Sequence, residues 1–287
     1  MAERSRKKRL RRRAWLLLFL ALLAVGYGWW ENTTLQVTEF DPAFTDLPAG
    51  FDGCRIVVLS DLHGARFGEQ NEALFTAVAG EKPDYIFFLG DLEDRYRGSQ
   101  PGYAAQVAEG LSAIAPTYYV TGNHEWAIGG VPALKEELAA HGVTVFSNQF
   151  VTLERNGDTV VLAGIDDPNG YADQKTPEEL AAELYAAQGD PFWMLLAHRN
   201  DRFAPQYSLL GADLVFSGHA HGGIIRPPFT DGLLSHDLKL FPSYTAGFYE
   251  ENGSTLFVTR GLGNSGPSFR LFNRPEVAVV TLHRAES

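Results

Sequence analysis

The 287-residue chain holds one cysteine, Cys54, and two methionines. A single cysteine excludes an intrachain disulfide and any cysteine-built zinc module. Internal repeats and low-complexity linkers are missing. Only one stretch is apolar enough to span lipid, which excludes a polytopic membrane protein. Basic charge is scarce after the first turns: eight of the 24 Lys and Arg lie in residues 1–13, so 16 basic groups face 34 acidic ones in the rest. An acidic body of this kind repels polyanions and argues against broad nucleic-acid binding. It suits a protein that gathers cations. Hydrophobic residues at 45% and charged residues at 21% exclude a mostly disordered chain.

Residues 14–30 read AWLLLFLALLAVGYGWW, 17 residues without a charge, at the short end for a membrane-spanning helix. The basic cluster before it predicts a cytoplasmic N-terminus, with the body across the membrane and Trp29 and Trp30 at the far interface. A cleaved signal peptide and a peripheral cytoplasmic helix are the competing readings. No small-x-small site follows the run, and Tyr27, Trp29 and Trp30 stand where one belongs, so an uncleaved signal-anchor is expected. The expected division is a basic cytoplasmic segment (1–13), a transmembrane signal-anchor (14–30), a tether with an edge strand (31–52), and one domain (53–284).

Beyond the anchor, short β-branched runs alternate with helical stretches. Strands are predicted at 55–60, 85–89, 117–121, 150–154, 159–164, 192–197 and 214–217. Helices are predicted at 70–80, 102–115, 131–141, 177–188 and 202–210. After Gly222 the strands at 244–250, 254–259 and 276–282 follow without helices, with a hairpin turn at Asn252-Gly253. The alternation predicts a layered α/β domain.

Five segments share one layout, in which a strand ends and metal-ligating side chains follow at once: SDLH (60–63), GD (90–91), GNHE (122–125), AH (197–198) and SGHAH (217–221). Sites of open α/β sheets form beyond the carboxyl ends of strands. The five ends are therefore expected to converge. Two divalent cations about 3.5–4 Å apart can clamp a phosphoryl group and activate water. They repel each other, so anionic ligands must neutralise them. Asp61 and Asp91 supply that charge, His63, His198, His219 and His221 supply imidazole, and Asn123 supplies an amide oxygen. Mixed N/O ligation suits Mn²⁺, Fe or Zn²⁺ better than Ca²⁺ or Mg²⁺. The i, i+2 spacing in Asp61/His63 and His219/His221 predicts extended backbone, where residues two apart share a face.

Asp-x-His, Gly-Asp, Gly-Asn-His-Glu, His and Gly-His-x-His, in this order, resemble the calcineurin-like metallophosphoesterases over nearly the whole chain after residue 53. The resemblance implies an α/β fold: a four-layer α-β-β-α sandwich of two mixed sheets, preceded here by one N-terminal transmembrane helix. It implies a dinuclear site in which Asp61, His63, Asp91 and His221 hold one metal. Asp91 bridges to a second, completed by Asn123, His198 and His219. His124 would donate a proton to the leaving group, Glu125 would orient His124, and a metal-bridging hydroxide would attack phosphorus.

The anchor and the segments GIDDP (164–168), GGIIRPPF (222–229) and RGLGNSGPSFR (260–270) are similar to the membrane-associated bacterial branch of that family. That branch includes cell-envelope phosphodiesterases and an enzyme cleaving the pyrophosphate of UDP-2,3-diacylglucosamine. The implied substrate is a phosphoester, a lipid-linked one among the candidates. No protein partner follows from the sequence. One departure is Arg199-Asn200-Asp201, where the branch has Asn-Pro-Asp, which leaves the role of Arg199 open. Asp94 is a candidate supporting acid, Arg260 and Arg270 are candidates for holding a phosphate oxygen or an anionic head group, and Asp166 and Asp167 are read as turn or supporting residues. His141, His236 and His283 have no motif around them and are read as structural or exposed. The alternatives are a UDP-2,3-diacylglucosamine pyrophosphatase-type hydrolase, a phosphomonoesterase, a nuclease and a non-catalytic scaffold; the acidic body speaks against a nuclease and the complete ligand set against a scaffold, while the motifs serve mono- and diesterases alike.

Overall fold

The computed structural model describes residues 2–170, 174–235, 238–266 and 269–286, so His236 lies outside it. Helix α1 runs Ala2–Thr33, longer than the apolar run alone, because the basic segment before it is helical too. A span of 28 residues within it, Arg6–Thr33, is long and apolar enough to cross a membrane, and only 11% of its apolar window is covered by the rest of the chain. A helix this apolar and this bare cannot be a core helix of a soluble body.

The body alternates β1 (Gln36–Phe40), β2 (Ala43–Phe44), β3 (Cys54–Leu59), α2 (Glu72–Gly80), β4 (Tyr85–Phe88), α3 (Tyr103–Ser112), β5 (Thr117–Tyr119), α4 (Asn123–Ile128), α5 (Val131–Ala140) and β6 (Val143–Val145). It continues with β7 (Gln149–Arg155), β8 (Asp158–Gly164), α6 (Pro177–Gln188), β9 (Trp193–Arg199), β10 (Leu214–Gly218), β11 (Gly247–Glu251), β12 (Ser254–Val258) and β13 (Glu276–Arg284). The strands make two mixed sheets. One is ordered β1-β13-β3-β4-β5-β6 with β2 beside β13, and the other β11-β12-β10-β9-β8-β7.

Period-two burial explains the layers. On β3, Cys54, Ile56 and Val58 point into the core between the sheets, while Val57 and Leu59 point to the core under α2, α3 and α5. On β9, Met194 and Leu196 face the inter-sheet core, and Trp193, Leu195 and Ala197 face the core under α6. Strands covered on both faces read as continuous apolar runs rather than alternating ones. The result is the four-layer α-β-β-α sandwich.

Most predicted elements are present with ends shifted by a few residues. Helix α6 begins at a capping box, in which Thr176 Oγ1 accepts from Glu179 N and Glu179 Oε2 accepts from Thr176 N, with Pro177 at its first position. The β11–β12 turn carries positive φ at Asn252 (52°) and Gly253 (81°), the signature of a tight type I′ hairpin. One prediction fails: residues 202–210 are not an α-helix but two 3₁₀ turns, Asn200–Arg202 and Tyr207–Leu209. Pro205 between them lacks the N–H that a continuing helix would need. Helix α4 and strand β6 were not anticipated. Both are too short to show a period.

Candidate metal centre

The parallel strands β3, β4 and β5 end beside β9 and β10, and their carboxyl ends deliver the five segments to one place. Asp61 and His63 follow β3, Asp91 follows β4, Asn123 and His124 open α4 after β5, His198 lies in β9, and His219 and His221 follow β10. Backbone bonds lock neighbouring loops together: Asp61 N donates to Gly90 O (3.0 Å) and His63 N to Asp91 O (2.9 Å).

The extended backbone expected of the i, i+2 pairs is corrected. Asp61 (φ 54°), His63 (51°), Asp91 (52°), His219 (66°) and His221 (49°) all occupy the left-handed region. Each such residue costs about 1–3 kcal/mol and persists only where its surroundings over-determine it. The left-handed turns swing alternate side chains to one centre after the strand has ended. Gly122 serves close approach, since a Cβ there would overlap Asp91 Oδ1.

Three overlapping groups of ligating atoms result among the described residues; one, His63, Asp91 and His124, bridges the other two. Asp61, His63 and His221 bring one atom each to within 4.8 Å of one another, and so do Asp91, His198 and His219. In the first group, His63 Nε2 and His221 Nε2 are 3.2 Å apart and His221 Nε2 is 3.4 Å from Asp61 Oδ1. In the second, His198 Nε2 lies 3.2 Å from Asn123 Oδ1, 3.2 Å from His219 Nδ1 and 3.3 Å from Asp91 Oδ2. Asp91 belongs to both. Its Oδ1 accepts from His124 N (2.8 Å), and Oδ2 lies 3.7 Å from His63 Nε2 on the other side.

These residues fit a pair of divalent cations. Asp61 Oδ1 is buried without a hydrogen-bond partner, an orphan facing two imidazole nitrogens. A buried carboxylate oxygen left in that state is expensive unless a cation meets it. His198 Nδ1 lies 2.6 Å from Leu89 O and donates to it, which turns Nε2 toward Asp91 Oδ2, Asn123 Oδ1 and His219 Nδ1. Burial pulls the His198 imidazolium down, yet the Asp91 charge and its hydrogen bond raise it to about 10. A positive charge is demanded among these atoms. Burial drives His63 down to about 3 against the pull of Asp91, which keeps its ring neutral, the form that ligates.

Glu125 does not orient His124. Its buried carboxylate accepts from the backbone N–H of Gly122 (2.7 Å), Asp91 (3.0 Å) and Glu93 (3.1 Å), clamping the β4 and β5 loops. Burial and the neighbouring Asp91 charge push it to about 8, against the pull of the Glu93 and Gly122 N–H groups. His124 is served instead by Asp94, whose Oδ1 lies 3.2 Å from Nδ1. The Arg95 N–H donates to the same nitrogen at 3.1 Å, and Nε2 lies 3.4 Å from Ser265 Oγ.

Above the two groups opens a crevice of about 540 Å³, lined by Asp91, Asn123, His124, His219 and His221, with Arg95, Arg199 and Lys239 on its walls. Arg199 is held by Asp167, Nε to Oδ2 at 2.6 Å, and lies 3.2 Å from His219 Nε2. Asp166 accepts from Thr121 Oγ1 (2.6 Å) and ties the β5 and β8 loops. Asn200 Nδ2 donates to Tyr244 O (2.8 Å), which braces the crevice wall.

Arg260 and Arg270 do not line the crevice, contrary to their expected grip on phosphate. Arg260 pairs with Glu276 (2.7 Å). Arg270 is buried and spends its guanidinium on Gly263 O, Arg260 O and Asn264 Oδ1, with Nη2 3.2 Å from His221 Nδ1. His283 is half-buried between Asp41 and Asp52, and His141 is bonded to its own helix at Glu137 O. Arg95 and Lys239 went unnoticed because isolated basic residues on loops carry no spacing signal.

Paired N/O clusters sharing one carboxylate, at the carboxyl edge of a four-layer sandwich, define a dinuclear metal-dependent hydrolase. The calcineurin-like phosphoesterase family matches residues 54–223, more than half of the chain, and the chain belongs to that family. The uncharacterized metallophosphoesterase YkuE of Bacillus subtilis is 30% identical over 266 residues, 90% of each chain. An uncharacterized metallophosphoesterase of Aquifex aeolicus is 30% identical over 272 residues, 92% of this chain and 98% of its own. A transmembrane protein with metallophosphoesterase domain from Danio rerio is 30% identical over 285 residues. That match covers 94% of this chain, which spans under two thirds (62%) of the fish protein. Among solved structures, a dimetal phosphatase from Danio rerio aligns at a TM-score of 0.45 and 11% identity, over 73% of this chain and 88% of its own. The chain is a metal-dependent phosphoester hydrolase with a candidate membrane span at its N-terminus.

Proposed function

We propose that this protein is a membrane-anchored phosphodiesterase acting on a lipid-linked phosphoester of the cell envelope. The observation that carries the reading is the sharing of Asp91 Oδ2 between two acceptor clusters at the floor of a crevice walled by cations. In this reading residues 53–284 are the catalytic domain and 14–30 the anchor. The basic residues 1–13 stay cytoplasmic and the domain works on the other side.

Asp61, His63, His221 and Asp91 would hold one divalent cation, and Asp91, Asn123, His198 and His219 the other, with Mn²⁺, Fe or Zn²⁺ suited to the donor set. Bound there, such cations supply Lewis acidity toward phosphoryl oxygens and bring the pKa of bound water near neutrality. The chain's own groups do the rest. Arg199, fixed by Asp167, offers a planar guanidinium to the non-bridging oxygens of the ester. Arg95 and Lys239 add positive potential to walls that an acidic body would otherwise make hostile to phosphate. His124 gives its Nε2 proton to the departing oxygen. The step requires the imidazolium form, in which Nδ1 carries a proton toward Asp94 Oδ1 rather than accepting from Arg95 N; after the Nε2 proton departs, Nδ1–H stays on Asp94 and the ring is left neutral.

The test is elemental analysis of the full-length protein in detergent, with a panel of aryl phosphomonoesters, aryl phosphodiesters and single-stranded DNA. Two ions per chain and preference for diesters are expected. A preparation replete in metal and inert toward every ester would defeat the reading; faster cleavage of DNA would replace it with a nuclease. A reporter fused after Ser287 checks orientation, and a cytoplasmic signal would reverse it.

A further inference from the structure

The last turns of α1 do not run free of the body. Asn32 stitches them to the loop before β13: its Oδ1 accepts from Arg270 N (2.8 Å) and Asn264 Nδ2 (3.0 Å), and its Nδ2 donates to Arg270 O (2.9 Å) and Gly28 O (2.8 Å). Tyr27 packs its ring on Phe272 at 6.1 Å, and the Arg274 guanidinium lies 4.6 Å over Trp30. Between helix and loop runs a groove of about 730 Å³ whose walls include Val25 and Gly28 on one side and Phe269 and Leu271 on the other. That volume falls within the range of about 300–1,000 Å³ typical of small-molecule sites.

We infer that this groove takes the acyl chain of a membrane phospholipid whose phosphate ester reaches the crevice. One wall is the candidate membrane span itself, so hydrocarbon is the medium at hand. Asn264 lines the groove and Ser265 lines the crevice, so consecutive residues form the partition between them. The apolar surface also continues around the crevice mouth. Leu271 exchanges backbone bonds with Ile224 and Arg226 (3.1 and 2.9 Å). The segment that starts there exposes Phe229, Leu238, Leu240 and Phe241 before it supplies Tyr244 to the crevice wall. Four large apolar side chains bared on the segment that borders the crevice fit insertion at the headgroup level. A tail in the groove and a phosphate in the crevice then belong to one molecule. The substrate class rests on the proposed phosphoesterase reading.

The test uses the full-length protein in phosphatidylcholine nanodiscs doped with phosphatidylglycerol bearing a diazirine in its acyl chain. After photolysis, adducts are mapped by mass spectrometry. Adducts are expected within 264–271 and 24–33. Val25→Trp, an apolar substitution that fills the groove, should lower the 264–271 adduct about tenfold, while Leu20→Trp on the same helix should leave it intact. Diazirine-bearing diacylglycerol, which lacks the phosphate, should label 264–271 less than the phospholipid does. Equal labelling by both lipids, or an adduct indifferent to Val25→Trp, overturns the inference. Aryl phosphodiester hydrolysis is followed on the same preparation. An inert protein that still captures the phospholipid at 264–271 overturns the phosphoesterase reading and supports the groove.

Discussion

Asp94 Oδ1 lies 3.2 Å from His124 Nδ1, and Asp94 is fully buried while His124 faces the crevice. Asp94 also anchors its own loop, with Oδ1 accepting from Tyr96 N (3.1 Å) and Oδ2 from Gly266 N (3.1 Å). The carboxylate is thus held still and the ring is aimed by it. Asp94→Asn keeps the shape but loses the charge that accompanies an imidazolium. It should lower kcat about 10–100-fold with both metals retained, the usual cost of losing a supporting carboxylate. Metal content and kcat on one aryl phosphodiester check this. A drop in bound metal instead would make Asp94 a part of the metal centre.

His124→Ala should keep both metals and lose about 10²–10⁴ in rate, the range for a general acid. The loss should shrink as the leaving group improves, because a good leaving group departs without a proton. A series of substituted phenyl esters reads the slope directly. A defect of constant size across the series would mean that His124 stabilises charge rather than donating a proton.

Asp91→Ala removes the oxygen common to both clusters and the acceptor for His124 N. His63 and His198 then each lose the carboxylate that lies beside them, 3.7 and 3.3 Å away. Activity should vanish and bound metal should fall below one ion per chain. Two tightly held ions in that variant would show that the bridge lies elsewhere.

The layers and the ligand set were legible in the sequence for different reasons. Strands such as 55–60 and 192–197 announce themselves as short apolar runs because both faces are buried, and the ligands announce themselves because they cluster at or just beyond strand ends, His198 within the last residues of β9. The local geometry was not legible. Asp61-x-His63 suggests a pleat, yet both residues sit in left-handed turns, since the chain must leave the sheet and still return two side chains to one point. Glu125 follows His124 in sequence and so suggested a partner for it. The first turn of α4 instead carries Glu125 back to the N–H groups of the β4 loop, and Asp94, thirty positions earlier, fills the place. Proximity of that kind is set by tertiary packing, which spacing cannot express. Arg270 looked like a phosphate ligand for the same reason, and its burial among carbonyls came from the loop's path.

Asp213 begins β10 far from the metal ligands, and its carboxylate accepts from Trp193 N at 2.7 Å. Burial raises it to about 6, against the pull of that bond and with help from Asp46 and Asp190. The folded chain therefore binds this proton more tightly than the unfolded chain, and stability from this group falls as pH rises from about 4 through 6. The full shift corresponds to about 3 kcal/mol, which partial exposure screens to about 1–2 kcal/mol. Asn can accept the same bond without the charge. Asp213→Asn should raise the Tm of the protein at pH 7–8 by about 2–4 °C, and the gain should vanish below about pH 4. Thermal unfolding followed across that range checks both the size and the sign; a variant less stable at pH 8 would mean that the ionised carboxylate stabilises the native sheet.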